Sequence, residues 1–162
     1  LAHGGPLRLV VPGYSGVNNI KYVRQLAFGG AESQARIMAH GYRITPPGSK
    51  SDPSQPSVLA MDVKSSIESP LGEPGPVPRG TTQITGLAFG GLHAVERVEV
   101  SVDGGQSWRE ARFIGPNLGR YAWRQFVLQV DLQPGTYTLA SRATDARQLF
   151  QPTLEPLHSF LR

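Results

Sequence analysis

The segment VERVEVSVDGGQSW, residues 95–108, constrains the fold of this chain more than any other part of the sequence. Apolar and polar residues alternate along its first half, which predicts a strand with one buried face, formed by Val98, Val100 and Val102, while Glu99 and Ser101 lie on the other face. The turn residues Asp103-Gly104-Gly105 tolerate the positive φ angles that a tight hairpin requires, and a returning strand is expected from Ser107-Trp108. A hairpin with one buried face implies a packed β-sheet.

Further short segments carry the same strand pattern at near-regular spacing. They are residues 82–89, 126–132 and 136–143, and residues 58–67 can supply one more strand. In the second of these, Phe126, Leu128, Val130 and Leu132 are predicted to point inward, and Val127, Gln129 and Asp131 outward. The 14 prolines and 19 glycines suit short strands joined by turns. We therefore predict a mainly β protein with a β-sandwich of immunoglobulin-like form.

The first third of the chain has a different pattern. Residues 7–11 and 21–28 are predicted to be strands on either side of a small-residue loop at 13–19. Residues 45–57 are rich in proline and serine and almost free of apolar side chains, which is typical of a linker or long loop. We therefore expect one domain over residues 1–57 and a second over residues 58–162.

Composition disfavours several function classes. The net charge is +4, but the basic residues are scattered and form no basic run, so nucleic-acid binding is not predicted. No apolar stretch approaches the ~20 residues of a membrane span. The chain has no cysteine, which excludes a thiolate ligand or thiol nucleophile from these residues. Its histidines show no metal-ligand spacing, so no metal site is predicted.

The segment HGGPLRLVVPGYSGVNNIK, residues 3–21, combines basic side chains with a glycine-containing loop. Backbone N–H groups in such a loop, close to a guanidinium and an ammonium, form a cradle for phosphate or another oxyanion. The alternative is that Arg8 and Lys21 lie on the solvent faces of two strands and that His3 ends a turn. Both interpretations fit the residues.

The same segment, continued to HGGPLRLVVPGYSGVNNIKYVRQL, resembles the end of the molybdenum-cofactor domain in the sulfite oxidase family. The pieces SSIESP, ITGLAFGG, VERVEVSVDGGQSW, YAWRQF and ATDARQLFQP follow in order and resemble the C-terminal dimerisation domain of that family. The resemblance implies an immunoglobulin-like β-sandwich preceded by the terminal segment of an α+β molybdopterin-binding domain.

The resemblance also implies roles for individual residues. His3 and Arg8 would contact the pterin, and Asn19, Ile20 and Lys21 would line its phosphate end, partly through backbone groups. Tyr42 is the best counterpart of a tyrosine that faces the substrate in the family, although an ordinary half-buried aromatic is an equal alternative. The cofactor would be molybdenum-molybdopterin, with its thiolate ligand supplied from an N-terminal half that these residues do not include.

The implied function is the C-terminal part of a sulfite oxidase or sulfite dehydrogenase that oxidises sulfite to sulfate and passes electrons to a haem protein. We expect this chain to be inactive alone. The expected partners are the N-terminal half of the enzyme, a second copy in a homodimer, and a c-type cytochrome, in a periplasmic location. The alternatives are a sulfane dehydrogenase subunit of a thiosulfate-oxidising system, an assimilatory nitrate reductase, and a non-catalytic dimerisation module.

Overall fold

A computed structural model of the chain describes residues 3–46, 48–70 and 80–152. The contacts between residues divide the chain into two compact units, and the division falls between Met61 and Asp62. Each unit has its own architecture. Across the described ranges, no helix is both long enough and apolar enough to cross a lipid bilayer.

The first unit contains little regular structure. It has one turn of 3₁₀-helix at Gly16–Asn18 and one π-helical turn at Ile37–Gly41. Single antiparallel bridges join Tyr14 to Ala60 and Arg43 to Ser57. Within the described part of this unit, Ala39 is the only hydrophobic residue that is fully buried.

The prediction of two strands in this unit is wrong. Residues 7–11 and 21–28, all of which the structure describes, form no strand. Their apolar side chains find no core to pack against: Leu7, Val10 and Leu26 are exposed, and Phe28 is 95% exposed. A strand pattern produces a strand only where neighbouring strands and a buried face stabilise it.

Residues 45–57 form a loop whose two ends meet inside the first unit. The N–H of Ile44 donates to the carbonyl of Pro56 (2.8 Å), and the N–H of Val58 donates to the carbonyl of Tyr42 (2.9 Å). The loop is therefore closed at its base by backbone hydrogen bonds, and the first unit continues beyond it to Met61.

The second unit is a six-stranded antiparallel β structure. Its strands are β1 (Lys64–Ser69), β2 (Gly80–Phe89), β3 (Val95–Ser101), β4 (Arg109–Ile114), β5 (Arg124–Leu132) and β6 (Ala140–Asp145). They pair in the order β1-β2-β5-β4-β3-β6. The predictions for β2, β3 and β5 are confirmed to within two residues at each end, and β6 begins four residues later than predicted.

Strand β4 connects the two layers of the sandwich. Its first half pairs with β3, with Ala111 opposite Val98, and its second half pairs with β5, with Arg112 opposite Val127. The outer strands β1 and β6 lie close to each other. The hydroxyl of Ser65 on β1 donates a hydrogen bond to the hydroxyl of Ser141 on β6 (2.9 Å). This mainly β architecture agrees with the predicted sandwich, and its immunoglobulin-like form stays a prediction.

The core of the second unit lies between the layers. Its central members are Ile84, Ala88, Val98, Val100, Ala111, Phe126, Leu128, Val130 and Ala143. The inward positions predicted for β3 and β5 are confirmed at Val98, Val100, Phe126, Leu128 and Val130. The outward orientation predicted for two residues is wrong: Val127 is only 9% exposed and Ser101 only 1% exposed. Ser101 is buried because its hydroxyl bonds within the turn that follows β3.

Candidate functional site

Backbone hydrogen bonds join the two basic parts of residues 3–21. The N–H of Leu9 donates to the carbonyl of Ile20 (2.9 Å), and the N–H of Val23 donates to the carbonyl of Leu7 (3.0 Å). Arg8 lies between the two bonded positions on its segment, and Lys21 lies between those on the other. The structure therefore brings Arg8 and Lys21 onto neighbouring, paired segments.

His3 is linked to the same place through Gly4. The N–H of Tyr22 donates to the carbonyl of Gly4 (3.1 Å), and Gly4 is buried against the side chain of Lys21. A Cβ atom on Gly4 would lie 2.7 Å from both Cβ and Cγ of Lys21, and the φ angle of Gly4 is +99°. Only glycine fits this position without strain.

The side chain of Asn19 holds the loop together. Its Oδ1 accepts from the N–H of Val11 (2.7 Å), and its Nδ2 donates to the carbonyl of Ser15 (3.2 Å). The backbone N–H groups of Ile20 and Lys21, by contrast, donate to no acceptor among the described residues. The backbone N–H groups of Ile20 and Lys21 are therefore the hydrogen-bond donors of this loop that remain available to a ligand. The side-chain amide of Asn19 is already hydrogen-bonded within the loop.

The paired segments carry three exposed basic residues, His3, Arg8 and Lys21. Within the described ranges none of the three has a hydrogen bond or an ion pair. Unpaired basic side chains next to open N–H groups suit an anionic ligand such as a phosphate. The residues therefore suit a phosphate or another small anion.

These groups are donors, and they do not form a metal site. Among the residues that the structure describes, no three His, Asp or Glu side chains are grouped so that they could hold a metal ion. The sequence contains no cysteine.

Tyr42 follows the π-helical turn directly and is half-buried. Its carbonyl accepts from the N–H of Val58 (2.9 Å), and the carbonyl of Val58 accepts from Nδ2 of Asn18 (3.1 Å). The phenol itself has no hydrogen-bond partner in the described part of the chain. No hydrogen bond between described residues joins Tyr42 to His3, Arg8 or Lys21, so the connection to the basic segments runs through Val58 and Asn18.

Arg43, the residue after Tyr42, is not indicated as a functional residue by the sequence pattern. Its side chain is only 6% exposed and forms an ion pair with Glu32 (3.1 Å). It also donates to the hydroxyl of Ser57 (2.6 Å) and to the carbonyls of Gln55 (3.1 Å) and Ala39 (3.3 Å). These contacts fix the chain on both sides of Tyr42. No motif in the sequence indicates them, because three of the four partners, Glu32, Gln55 and Ser57, lie 11, 12 and 14 positions away.

The hydroxyl of Ser57 donates in turn to Glu32. This hydrogen bond is the main cause that lowers the pKa of Glu32; burial opposes it, and the guanidinium of Arg43 lowers the pKa further. Glu32 is therefore an anion that compensates Arg43. The charge of Arg43 is consequently neutralised by Glu32 within the first unit.

The fold and the basic segments define a two-part class of protein, a β-sandwich preceded by a segment suited to an anionic cofactor. Family models identify both parts. Residues 55–161 match the Mo-co oxidoreductase dimerisation domain, and residues 1–37 match the oxidoreductase molybdopterin binding domain. The chain belongs to the family of Mo-co oxidoreductase dimerisation domains, and its first residues are similar to a molybdopterin binding domain.

Known proteins resemble most of the chain. Sulfite oxidase of Gallus gallus is 34% identical over 160 residues, a match that covers 93% of this chain and 34% of the relative. Sulfite oxidase of Arabidopsis thaliana is 32% identical over 165 residues and covers 93% of this chain and 42% of the relative. The chain therefore spans well under half the length of these relatives.

A solved structure agrees in fold. The crystal structure of the sulfane dehydrogenase SoxCD from Paracoccus pantotrophus superposes with a TM-score of 0.83 and 35% sequence identity. The match covers 98% of this chain and 40% of that chain. Nitrate reductase [NADH] of Solanum lycopersicum is less similar, with 27% identity over 172 residues.

Proposed function

We propose that this chain is the C-terminal part of a molybdenum-cofactor-dependent sulfite oxidoreductase. Its first residues would hold part of the cofactor, and its β-sandwich would join two copies of the enzyme. The hydrogen-bonded pairing of the Arg8 segment with the Lys21 segment carries this proposal, because it puts two uncompensated cations beside free backbone N–H groups. The matching molybdopterin-binding and dimerisation families support it.

In this proposal the basic residues bind the anionic end of the cofactor. Arg8 and Lys21 neutralise its phosphate, and His3 donates a ring N–H to the pterin or the phosphate. Asn19 keeps the loop in shape through its own side chain, so that the N–H groups of Ile20 and Lys21 point at the ligand. When bound, the cofactor supplies the two-electron chemistry of sulfite oxidation, and the protein supplies binding and orientation.

Tyr42 is proposed as the catalytic residue of this chain. Its phenol has no partner among the described residues, so the O–H is available to donate to an oxygen of the substrate. Its backbone is fixed by Val58 and, on the other side, by the contacts of Arg43. A fixed backbone with a free phenol is the arrangement that substrate positioning requires.

The exposed apolar residues of the first unit support the view that it is part of a larger domain. Leu7, Val10, Ile20, Tyr22, Leu26 and Phe28 are all exposed, and Ala39 is the only buried hydrophobic residue in the described part of this unit. Apolar side chains exposed in this number are typical of a surface that contacts other protein. We propose that the remainder of the molybdopterin-binding domain covers it and brings the thiolate ligand of molybdenum.

We propose that the molybdopterin-binding part extends to residue 57 and that residues 58–162 are an immunoglobulin-like dimerisation domain. The dimerisation family that matches residues 55–161 supports this boundary and a homodimer. We further propose a c-type cytochrome as electron acceptor and a periplasmic location. Fractionation of cells that produce the full-length protein tests the location directly.

Sulfane dehydrogenase activity is the second candidate. It is supported by the structural similarity to SoxCD, whose 35% identity equals that of the sulfite oxidases to within a few per cent. The two candidates differ in the sulfur compound that donates electrons. They share the proposed cofactor site and the proposed dimer.

The experiment that tests the function is a turnover assay on the purified full-length protein, with cytochrome c or ferricyanide as acceptor. We expect sulfite to reduce the acceptor and to yield one sulfate for every two electrons. Reduction by protein-bound sulfane sulfur, without reduction by sulfite, would favour the second candidate. No electron transfer from either donor in protein that contains molybdenum would contradict both.

A further inference from the structure

A connecting segment, residues 56–61, is hydrogen-bonded both to Tyr42 and to the small-residue loop of the proposed cofactor site. On one side the N–H of Val58 donates to the carbonyl of Tyr42 (2.9 Å). On the other side the carbonyl of Leu59 accepts from the N–H of Ser15 in the loop (2.9 Å). All of these residues belong to the first unit. The connecting segment therefore links the proposed catalytic residue to the loop.

The side chain of Asn18 strengthens the link between the loop and the connecting segment. Its Nδ2 lies 3.1 Å from the carbonyl oxygen of Val58 and 3.2 Å from that of Leu59. The carbonyl oxygen of Ser15, three positions away in the loop, is more distant at 3.4 Å. An amide NH₂ group has two hydrogens to donate, so the two shorter contacts are its main hydrogen bonds. Asn18 therefore bonds chiefly to the connecting segment and not to its own turn.

The neighbouring residue Asn19 has a different role. Its Oδ1 accepts from the N–H of Val11, and its Nδ2 donates to the carbonyl of Ser15, so both bonds stay within residues 11–19. Asn19 maintains the internal shape of the loop, whereas Asn18 reaches residues 40 and 41 positions away. Because the bonds of Asn19 do not involve Asn18, a substitution of Asn18 leaves them in place.

The links to Asn18 and to Tyr42 meet at Val58, which is half-buried. The N–H of Val58 holds the carbonyl of Tyr42, and its carbonyl oxygen accepts from Asn18. Because both groups belong to one residue, a displacement of the carbonyl also displaces the N–H. The backbone after Tyr42 has a separate support, the hydrogen bond from Arg43 to the hydroxyl of Ser57.

The position of the Tyr42 phenol depends on its backbone, because the phenol has no hydrogen-bond partner in the part of the chain that the structure describes. A group that orients a substrate must be held closely, since a misplacement of about 1 Å can remove much of the rate advantage of positioning. Contacts that fix the backbone of Tyr42 therefore matter to the proposed reaction even where they lie away from the substrate.

We propose that Asn18 is a positioning residue, which holds Tyr42 in place relative to the cofactor loop through Val58. This inference rests on the proposed function, because it takes Tyr42 to act on the substrate. It also extends that function, since the placement of the substrate then depends on the loop that binds the cofactor. Asn18 acts through Tyr42 and takes no part in the chemistry itself.

Steady-state kinetics of the full-length holoprotein test this role. Asn18→Ala and Asn18→Leu both remove the amide, and the leucine keeps the side-chain volume. We expect each variant to lower kcat/KM for sulfite several-fold, per bound molybdenum, and to keep the molybdenum content. The control is Asn117→Ala, which removes an asparagine that accepts from the N–H of Gly119 in the second unit (3.0 Å). It is expected to change neither quantity.

The variant Tyr42→Phe distinguishes positioning from a general structural role. Substitutions of two residues that act through one group are not additive. We therefore expect Asn18→Ala to have little further effect on kcat/KM in the Tyr42→Phe background. An equal several-fold loss in both backgrounds would overturn the proposal. Loss of molybdenum from both Asn18 variants would also overturn it, because Asn18 would then hold the cofactor loop itself.

A measurement that needs no turnover separates this role from the proposed function. Fluorotyrosine incorporated at position 42 gives a single fluorine NMR resonance in the full-length holoprotein. We expect Asn18→Ala to shift or broaden this resonance and Asn117→Ala to leave it unchanged. An unchanged resonance in Asn18→Ala would overturn the positioning role. A changed resonance in a protein that does not oxidise sulfite would support the link from Asn18 to Tyr42 and reject the proposed function.

Discussion

Gly4 and Lys21 are packed so closely that a Cβ atom on Gly4 would lie 2.7 Å from the Cβ atom of Lys21. This contact, together with the hydrogen bond from Tyr22 to the carbonyl of Gly4, holds His3 beside the lysine. Two residues 17 positions apart in sequence thereby share one local structure. The proposed cofactor site depends on it.

Gly4→Ala is predicted to disrupt this arrangement. The new methyl group would overlap the Lys21 side chain, and a φ of +99° costs a non-glycine residue about 1 kcal/mol or more. We expect several-fold less molybdenum per chain in the full-length protein, measured by elemental analysis. Gly16→Ala is the control, since nothing lies within 4 Å of its Cβ position. Equal molybdenum content in the two variants would show that the Gly4 contact is dispensable.

Arg43→Gln is predicted to release the loop at residues 45–57. The substitution removes the ion pair to Glu32 and the hydrogen bonds to Ser57 and Gln55 that close the base of the loop. Limited digestion of the full-length protein with trypsin is expected to cut at Lys50 several-fold faster. Arg24→Gln, which removes an exposed arginine, is expected to leave cleavage at Lys50 unchanged, and an unchanged rate for Arg43→Gln would contradict the role assigned to it.

The turn after β3 provides a prediction for the sandwich. Asp103 accepts hydrogen bonds from the hydroxyls of Ser101 (2.6 Å) and Ser107 (2.5 Å) and from the N–H of Ser107 (2.9 Å). Asp103→Ala removes all three, and we expect it to lower the Tm by a few degrees. Asp62→Asn, at an exposed position without these contacts, is the control and is expected to keep the Tm.

The same turn gives the stability a defined pH dependence. The Ser101 hydroxyl is the main cause that holds the pKa of Asp103 well below its ordinary value of 3.8, and Ser107 adds to the effect. The contribution of Asp103 to stability is therefore complete above about pH 5 and is lost as the pH falls through the lowered pKa of the folded state. We expect the Tm difference between the unaltered protein and Asp103→Asn to shrink between about pH 5 and pH 2. A constant difference would contradict this linkage.

Gly86→Ala is predicted to be severely destabilising. A Cβ atom there would lie 2.2 Å from the carbonyl oxygen of Ser66 and 2.3 Å from Cζ of Phe126, which is fully buried. Overpacking of this kind costs about 3 kcal/mol, since neither a backbone carbonyl nor a core ring can move away freely. Denaturant unfolding of the full-length protein measures it. Gly135→Ala, whose nearest contact is 3.8 Å, is the control and is expected to have a small effect.

The sandwich could be predicted from the sequence because its signals are local. The alternation in β3 and β5 and the glycines at 104 and 105 act within a few residues, and the core positions Val98 and Phe126 follow from them. Val127 was predicted wrongly because burial on a second face depends on the position of its strand in the sandwich. Ser101 was predicted wrongly because a turn can bury a polar group by bonding to it.

The first unit could not be predicted in the same way. Its apolar pattern at 7–11 and 21–28 resembles strands, but its side chains contact no core in the described part of the chain. The basic residues were found from their motif, whereas their pairing through Leu9 and Ile20 is visible only in the structure. Most contacts of Arg43 join positions that are distant in sequence, and no periodic pattern of residues indicates them.

The most direct test of the account is the cofactor content of the full-length protein when Arg8 and Lys21 are both replaced by glutamine. Molybdenum is measured by elemental analysis and the pterin by fluorescence after oxidation, with Arg24→Gln/Lys50→Gln as a control of equal charge. We predict that Arg8→Gln/Lys21→Gln loses most of both while the control keeps them. Full molybdenum and pterin content in Arg8→Gln/Lys21→Gln would contradict the assignment of these residues to the cofactor.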